Sequence, residues 1–367
     1  MSIFQSPQPL LAEIFALHGK WRGDGDAVIC DQRRVSWSEF CASNHRFANA
    51  LVEAGIEVGD RVGIVMSNGL PMLQVLFGSM AAGAVSVPIN LSVSDDALVG
   101  MLTDAGARVL VVCEQQFPRL QALRARLPEG TELMLKAGGP VGDWQGLGEF
   151  SAAQASNLPV RAVPADTPLN IIYSSGTTGM PKGIVQTQRG RRDWAYDLAL
   201  ALRYHGGART LLTIGLYSNI SWVGMLCTLL AGGTIVVESR FSADGFLDCV
   251  EAQGITHTVM VPVQYRQVLA AQLAGPRRVA SLQSMMSCGS PLHENLKREL
   301  FDVFPCGVIE LYGLTEGIIT TLDPERAGGR WGSVGRPLPG TDLMIVGDDD
   351  QPVAAGARGE IVARGRI

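Results

Sequence analysis

Between residues 171 and 183 the chain reads IIYSSGTTGMPKG. Ile171 and Ile172 close an apolar, β-branched run, and Ser174, Ser175, Gly176, Thr177, Thr178 and Gly179 then lead to Lys182 and Gly183. That combination suits phosphate. Glycines let the backbone turn several N–H groups toward one point, hydroxyls add donors, and a lysine brings a cation to a terminal phosphate. The spacing is not the Walker pattern, because glycine follows the lysine instead of preceding it. A Gly/Ser/Thr linker with a solvated lysine has a similar composition. Here an apolar strand leads in directly, Pro181 stiffens the exit and Ile184 and Val185 follow, which weighs toward a nucleotide loop.

Two further segments carry chemistry at strand ends, where ligands of open α/β sheets sit. In SMMSCGSPL the strand through Met286 runs into Ser287, Cys288, Gly289, Ser290 and Pro291. By itself this is equally an ordinary strand-to-helix turn with proline near the helix start. In VIELYGLTEG, residues 308–317, Glu310 and Leu311 lead to Tyr312, Gly313, Leu314, Thr315 and Glu316. An aromatic plate, a permissive turn, a hydroxyl and a carboxylate follow one another there. Taken singly, the tyrosine and glutamate also read as a half-buried ring and a solvated charge.

Together these segments resemble the adenylate-forming superfamily, which includes acyl-CoA synthetases, luciferases and the adenylation domains of peptide synthetases. YSSGTTGMPKG matches the signature loop of that superfamily at nearly every position, and YGLTE matches its YGxTE motif letter for letter, about 130 residues on and in the expected order. CGSP is similar to its adenine-wall turn, and GSVGRPLPG (332–340) and GEIVARG (359–365) resemble the segments that follow, so the likeness covers almost the whole chain.

The resemblance implies ATP, Mg²⁺ and CoA as cofactors and an acid–thiol ligase as the activity: a carboxylate is adenylated at the α-phosphorus of ATP, pyrophosphate leaves, and a thiol attacks the acyl-AMP. By the same resemblance Ser174, Ser175, Thr177 and Thr178, with Gly176 and Gly179, embrace the β- and γ-phosphates, and Lys182 offsets leaving-group charge. Gly289, Ser290 and Pro291 let the backbone approach the purine. Tyr312 stacks on adenine, Thr315 bonds the α-phosphate, Glu316 holds the metal, and Glu310, Leu311, Gly313 and Leu314 complete that nucleotide segment. Lys182, Thr177 and Glu316 are the expected catalytic groups. An acyl-AMP ligase that loads a carrier protein and a non-catalytic adenylate-binding domain are the alternatives.

The elements that position these residues alternate. RVGIVMS, AVSVPIN, ARVLVVC, LLTIG, TIVVE, THTVMVP and LQSMMS read as buried strands separated by helices, which implies parallel sheets covered on both faces. The expected architecture is two doubly wound, mainly parallel subdomains over about residues 1–330, layered αβαβα, with a small distorted β-barrel or appended sheet over about 331–367 that takes parts from elsewhere in the chain. Residues 10–56 read as two amphipathic helices around a short hairpin, and 114–168 as a connecting, partly irregular stretch.

Composition agrees with a core-rich globular protein: of 367 residues 47% are hydrophobic and 18% charged. A net charge of -5 with both signs dispersed offers no basic stripe for nucleic acid. Seven scattered cysteines without CxxC spacing read as reduced thiols and point to the cytoplasm, five dispersed histidines suggest no zinc tetrad, and no signal peptide or membrane span is read.

Two departures from the superfamily stand out. The sequence stops at Ile367, before the ribose-binding aspartate, hinge and lid domain with its lysine, so the expectation is a large N-terminal domain that catalyses adenylation poorly alone. In TIGLYSNISW, Ser218 stands where many acyl-CoA synthetases have histidine, and the aspartate that pairs with an amino-acid substrate is missing. A free ammonium buried there would be costly. Tyr217, Ser218, Trp222, Val223, Met286 and Cys288 are the acyl-pocket candidates, suggesting a neutral aryl or alkyl acid, with core packing the competing role for the apolar ones.

Overall fold

In the computed structural model, which describes residues 8–174 and 181–365, helix α1 (Leu11–Trp21) leads to a hairpin, β1 (Asp26–Cys30) and β2 (Arg33–Ser36), and helix α2 (Trp37–Glu53). Ser36 and Glu39 start α2 reciprocally: the Ser36 hydroxyl accepts the Glu39 N–H at 3.2 Å, and the Glu39 carboxylate accepts the Ser36 N–H at 2.8 Å. The alternation follows as β3 (Arg61–Val65), α3 (Leu70–Ala81), β4 (Val85–Pro88), α4 (Asp95–Asp104), β5 (Val109–Val112), α5 (Phe117–Ala122), β6 (Leu133–Lys136), β7 (Gln145–Gly146) and α6 (Leu147–Ala152). A second hairpin, β8 (Pro168–Ser174) and β9 (Lys182–Thr187), precedes α7 (Gln188–Ala201). Then come β10 (Arg209–Leu212), α8 (Asn219–Ala231), β11 (Thr234–Val237), α9 (Ala243–Gln253), β12 (His257–Met260), α10 (Pro262–Ala274), β13 (Ser284–Ser287) and α11 (Glu294–Val303). The last elements are β14 (Ile309–Leu314), β15 (Gly317–Leu322), α12 (Pro324–Ala327), β16 (Arg336–Pro337), β17 (Thr341–Val346) and β18 (Glu360–Gly365).

The strands make two large sheets. Seven follow the order β7-β6-β5-β3-β4-β8-β9, parallel except between β8 and β9. Nine follow the order β16-β15-β14-β13-β12-β10-β11-β1-β2, parallel through the centre and antiparallel at both edges. Period-two alternation divides their side chains between layers. Val28, Ile235, Val237, Val259 and Met286 face a central core, while Ile29, Val236, Met260 and Met285 face outward onto α9, α10 and α11. In the other sheet Val109 and Val111 join the central core, and Leu110 and Val112 pack outward with Leu98 and Leu102 of α4. Helices α1, α2, α3, α7 and α8 contribute to the central core. The αβαβα layering expected from the alternation is therefore present. Residues Ser221–Leu230 of α8 are all buried, as a helix apolar on every side must be.

The hairpin β1–β2, for which the sequence names no sheet, joins the second one, because β1 pairs in parallel with β11, Val28 opposite Ile235. Two expectations need correction. The stretch 114–168 is not merely a connector: β6 extends the first sheet beside β5, Val109 opposite Leu133. Four residues buried on both faces leave no alternation to detect. No barrel closes among the described residues of the last segment. β17 and β18 form a two-stranded antiparallel ribbon, Thr341 opposite Gly365, and β16 belongs to the edge of the second sheet. Two strands lack the number and shear that closure requires.

Candidate active site

Strands β8 and β9 flank the glycine-rich segment, with Ser174 opposite Lys182 and Tyr173 opposite Gly183. Ser174 is half-buried and Lys182 exposed; Ser175, Gly176, Thr177, Thr178 and Gly179 lie outside the described residues. The hairpin is moored by Tyr173, whose hydroxyl lies 2.6 Å from the Asp104 carboxylate and 3.0 Å from the Met101 carbonyl at the end of α4. Burial, then the Asp104 partnership, pushes that phenol above its usual pKa.

Strand β14 carries Tyr312, Gly313 and Leu314 into a turn with Thr315 and Glu316. Gly313 is demanded by a close approach, since a Cβ there would lie 2.8 Å from the Ile318 carbonyl. Tyr312 is 38% exposed, Thr315 half-buried and Glu316 exposed, and among the described residues Glu316 forms no ion pair. The two hairpins meet. The Gln186 side-chain amide on β9 donates to the Thr315 carbonyl at 2.6 Å. Gln186 was not singled out by sequence reasoning, yet period two puts it on the same face of β9 as Lys182.

Beside that contact a cavity of about 560 Å³ opens, walled by Gly289, Ser290 and Pro291 on one side and Tyr312 and Gly313 on the other, with the main chain from Trp331 closing it. Gly289 has φ +90°, and a Cβ there would lie 2.9 Å from Ile220 of α8. Burial first pushes the Cys288 thiol at its rim up to about 11, so it is no nucleophile at neutral pH. Glu310 lines the cavity, but its carboxylate is held by protein groups: one oxygen accepts from Lys297 and the other takes the Leu292 N–H at 3.1 Å. Lys297, 1% exposed, also donates to the Trp331 carbonyl at 2.7 Å, tying α11, β14 and the cavity wall together. Nothing in the sequence pointed to this lysine, whose helix is otherwise strongly charged.

The acyl-pocket candidates separate. Ser218 caps α8, its hydroxyl accepting the Ile220 N–H at 3.3 Å, and Tyr217 is half-buried beside it. Trp222, Val223 and Met286 are all buried in the central core, Trp222 with its ring 6.4 Å from that of Phe77. Asn68, beyond β3, donates to the Ile214 carbonyl at 3.2 Å and accepts the Leu216 N–H at 2.9 Å, so the carboxyl ends of β3 and β10 adjoin.

The pattern of the AMP-binding enzyme family matches residues 16–367. The chain belongs to that family. Among curated relatives, an indoleacetate–CoA ligase of Aromatoleum aromaticum is 31% identical over 97% of this chain and 70% of its own length. A fatty acid–[acyl-carrier-protein] ligase, ScoC, of Streptomyces coeruleorubidus is 29% identical over 96% of this chain and 68% of its own. A feruloyl-CoA synthase of an Amycolatopsis species matches over only 65% of its own length, so this chain spans about two thirds of the relatives that it matches. The crystal structure of the anthranilate CoA ligase AuaEII with anthranoyl-AMP superposes with a TM-score of 0.91 at 23% identity, over all of this chain and 71% of that one, and shares the fold of the family. No helix among the described residues is long and apolar enough to cross a membrane.

Proposed function

We propose that this chain is the nucleotide-binding part of an ATP-dependent acid–thiol ligase, which joins a carboxylic acid to AMP and passes the acyl group to CoA. The observation that carries the reading is the Gln186–Thr315 hydrogen bond, which sets β9, the strand that follows the glycine-rich segment, against the turn bearing Glu316. The neighbouring cavity falls within the range of about 300–1,000 Å³ usual for small ligands.

A carboxylate resists thiols because it is anionic and its leaving group is oxide; joining it to AMP removes both obstacles. Such a reaction asks a protein for positioning and charge stabilisation more than covalent chemistry. Tyr312 and the backbone at Gly289 flank the purine, Thr315 bonds the α-phosphate, and Lys182 receives charge that develops on the departing pyrophosphate. Glu316 fits a metal, being an exposed carboxylate with no ion pair among the described residues, and oxygen ligands suit Mg²⁺. A metal held by Glu316 would supply positive charge against the phosphates of the nucleotide.

The carrier-protein relative favours a second acceptor reading, in which the thiol is a phosphopantetheine arm. The experiment for both is pyrophosphate release by the full-length protein, screened over carboxylic acids with CoA or an acyl carrier protein added or withheld. Acid-dependent release supports activation, and the thiol that yields a thioester selects the acceptor. No release with any acid would leave adenylate binding without catalysis.

A further inference from the structure

Arg191 sits near the start of α7 and is 1% exposed. Its Nε donates to Asn170 Oδ1 at 3.1 Å, and its guanidinium lies 4.6 Å from the centre of the Trp194 ring and 5.5 Å from that of Trp222. Among the described residues it forms no ion pair, and burial pulls its pKa down to about 9. Its Nη2 meets no acceptor, and neither do Asn170 Nδ2, Gln188 Nε2 or Trp222 Nε1, although all three residues are at most 1% exposed. Gln188 stands one turn before Arg191, on the same side of α7.

Unanswered N–H groups on Asn170, Gln188 and Trp222, with one more on the buried cation itself, call for an acceptor with negative charge. Water satisfies dipoles, but it leaves the charge uncompensated, and a buried charge is normally paired. The molecule itself supplies the contrast: Lys297, equally buried, has Glu310. The amino end of a fourteen-residue helix adds a further preference for an anion.

We propose that Arg191, Asn170, Gln188 and Trp222 hold a compact anion through guanidinium and N–H donors. Its source is either a free inorganic anion or a second carboxylate on the acid substrate. Trp222 stands one turn after Ser218 on α8, so the second source places this receptor behind the candidate acyl pocket. In that case the inference rests on the proposed acid activation and narrows its substrates to acids with an anionic far end.

The test follows thermal unfolding and tryptophan fluorescence of the full-length protein, which read binding without turnover. Sodium bromide and sodium glutarate are titrated separately, with ionic strength held by the salt of a bulky sulfonate. A saturable rise in Tm with bromide identifies a free anion, a rise with glutarate alone identifies the substrate carboxylate, and either supports the site. Arg191→Met abolishes the response and Arg191→Lys weakens it. No saturable response in the wild type, or an undiminished one in Arg191→Met, overturns the proposal. Should Arg191→Met fail to fold, wild-type crystals grown in bromide decide: an anomalous peak beside the guanidinium supports the site, and none, with no glutarate response, overturns it. Glutarate binding without pyrophosphate release from any acid would sink the proposed function while the receptor stood.

Discussion

Gln186 and Thr315 stand 129 residues apart in sequence, and a 2.6 Å hydrogen bond joins the side chain of one to the main chain of the other. It couples β9, the strand after the glycine-rich segment, to the turn that presents Glu316. Gln186→Ala removes that coupling without touching a proposed ligand group. A hydrogen bond of this kind contributes about 0.5–1.5 kcal/mol net, so the KM for ATP rises about two- to tenfold while Tm changes little. Steady-state pyrophosphate assays over an ATP series check this; an unchanged KM would remove the coupling from the proposed mechanism.

Glu316→Gln keeps the size of the side chain and removes its charge. Loss of one well-placed electrostatic group costs about 10²-fold in turnover. Under the same proposal Lys182→Ala costs less in turnover and shows also in the KM for ATP, its exposed ammonium serving both capture of the triphosphate and the departing pyrophosphate. Turnover measured across a Mg²⁺ series ranks the two, and full activity in Glu316→Gln refutes the metal assignment.

Lys297→Met strands the Glu310 carboxylate in the interior. Breaking a buried pair this way costs about 3–5 kcal/mol, while replacing both members by apolar side chains recovers much of the loss. Denaturant midpoints for Lys297→Met and for Lys297→Met/Glu310→Leu test this, and equal losses in the two would show that the pair itself carries little of the effect.

Burial holds His257 at a pKa of about 4, below its ordinary 6.5, and His205 adds a smaller push in the same direction. The folded state therefore favours the neutral ring. Its contribution is complete above pH 6.5 and drains away as pH falls toward 4, where the unfolded chain binds the extra proton. Within that window one proton corresponds to about 1.4 kcal/mol per pH unit. Urea midpoints from pH 7 to 4 fall less steeply in His257→Gln, with His18 and His45, also lowered by burial, sustaining the remaining slope.

Much of this architecture is legible because buried parallel strands are written as unbroken apolar runs. RVGIV, TIVV and HTVM announce themselves, and Pro71 and Pro262 mark helix starts. What escapes is whatever depends on distant partners. LMLK is too short to show a period, GIITTL became a strand only by folding back on β14, and the place of the first hairpin depends on β11. The site divides likewise. Tyr312 and Glu316 carry their chemistry in their own side chains, whereas the meaning of Gln186, Lys297 and Arg191 comes from what the fold sets opposite them.

The pairing of Val28 with Ile235 also bears on how the molecule is made. Strand β1 meets its hairpin partner β2 at once, but its parallel partner β11 follows every strand of the first sheet in the chain. Meanwhile the nascent chain exposes an apolar edge, the kind of surface on which chaperones act. Joining of β1 to β11 is thus a late event in biosynthesis, delayed by the length of chain between them.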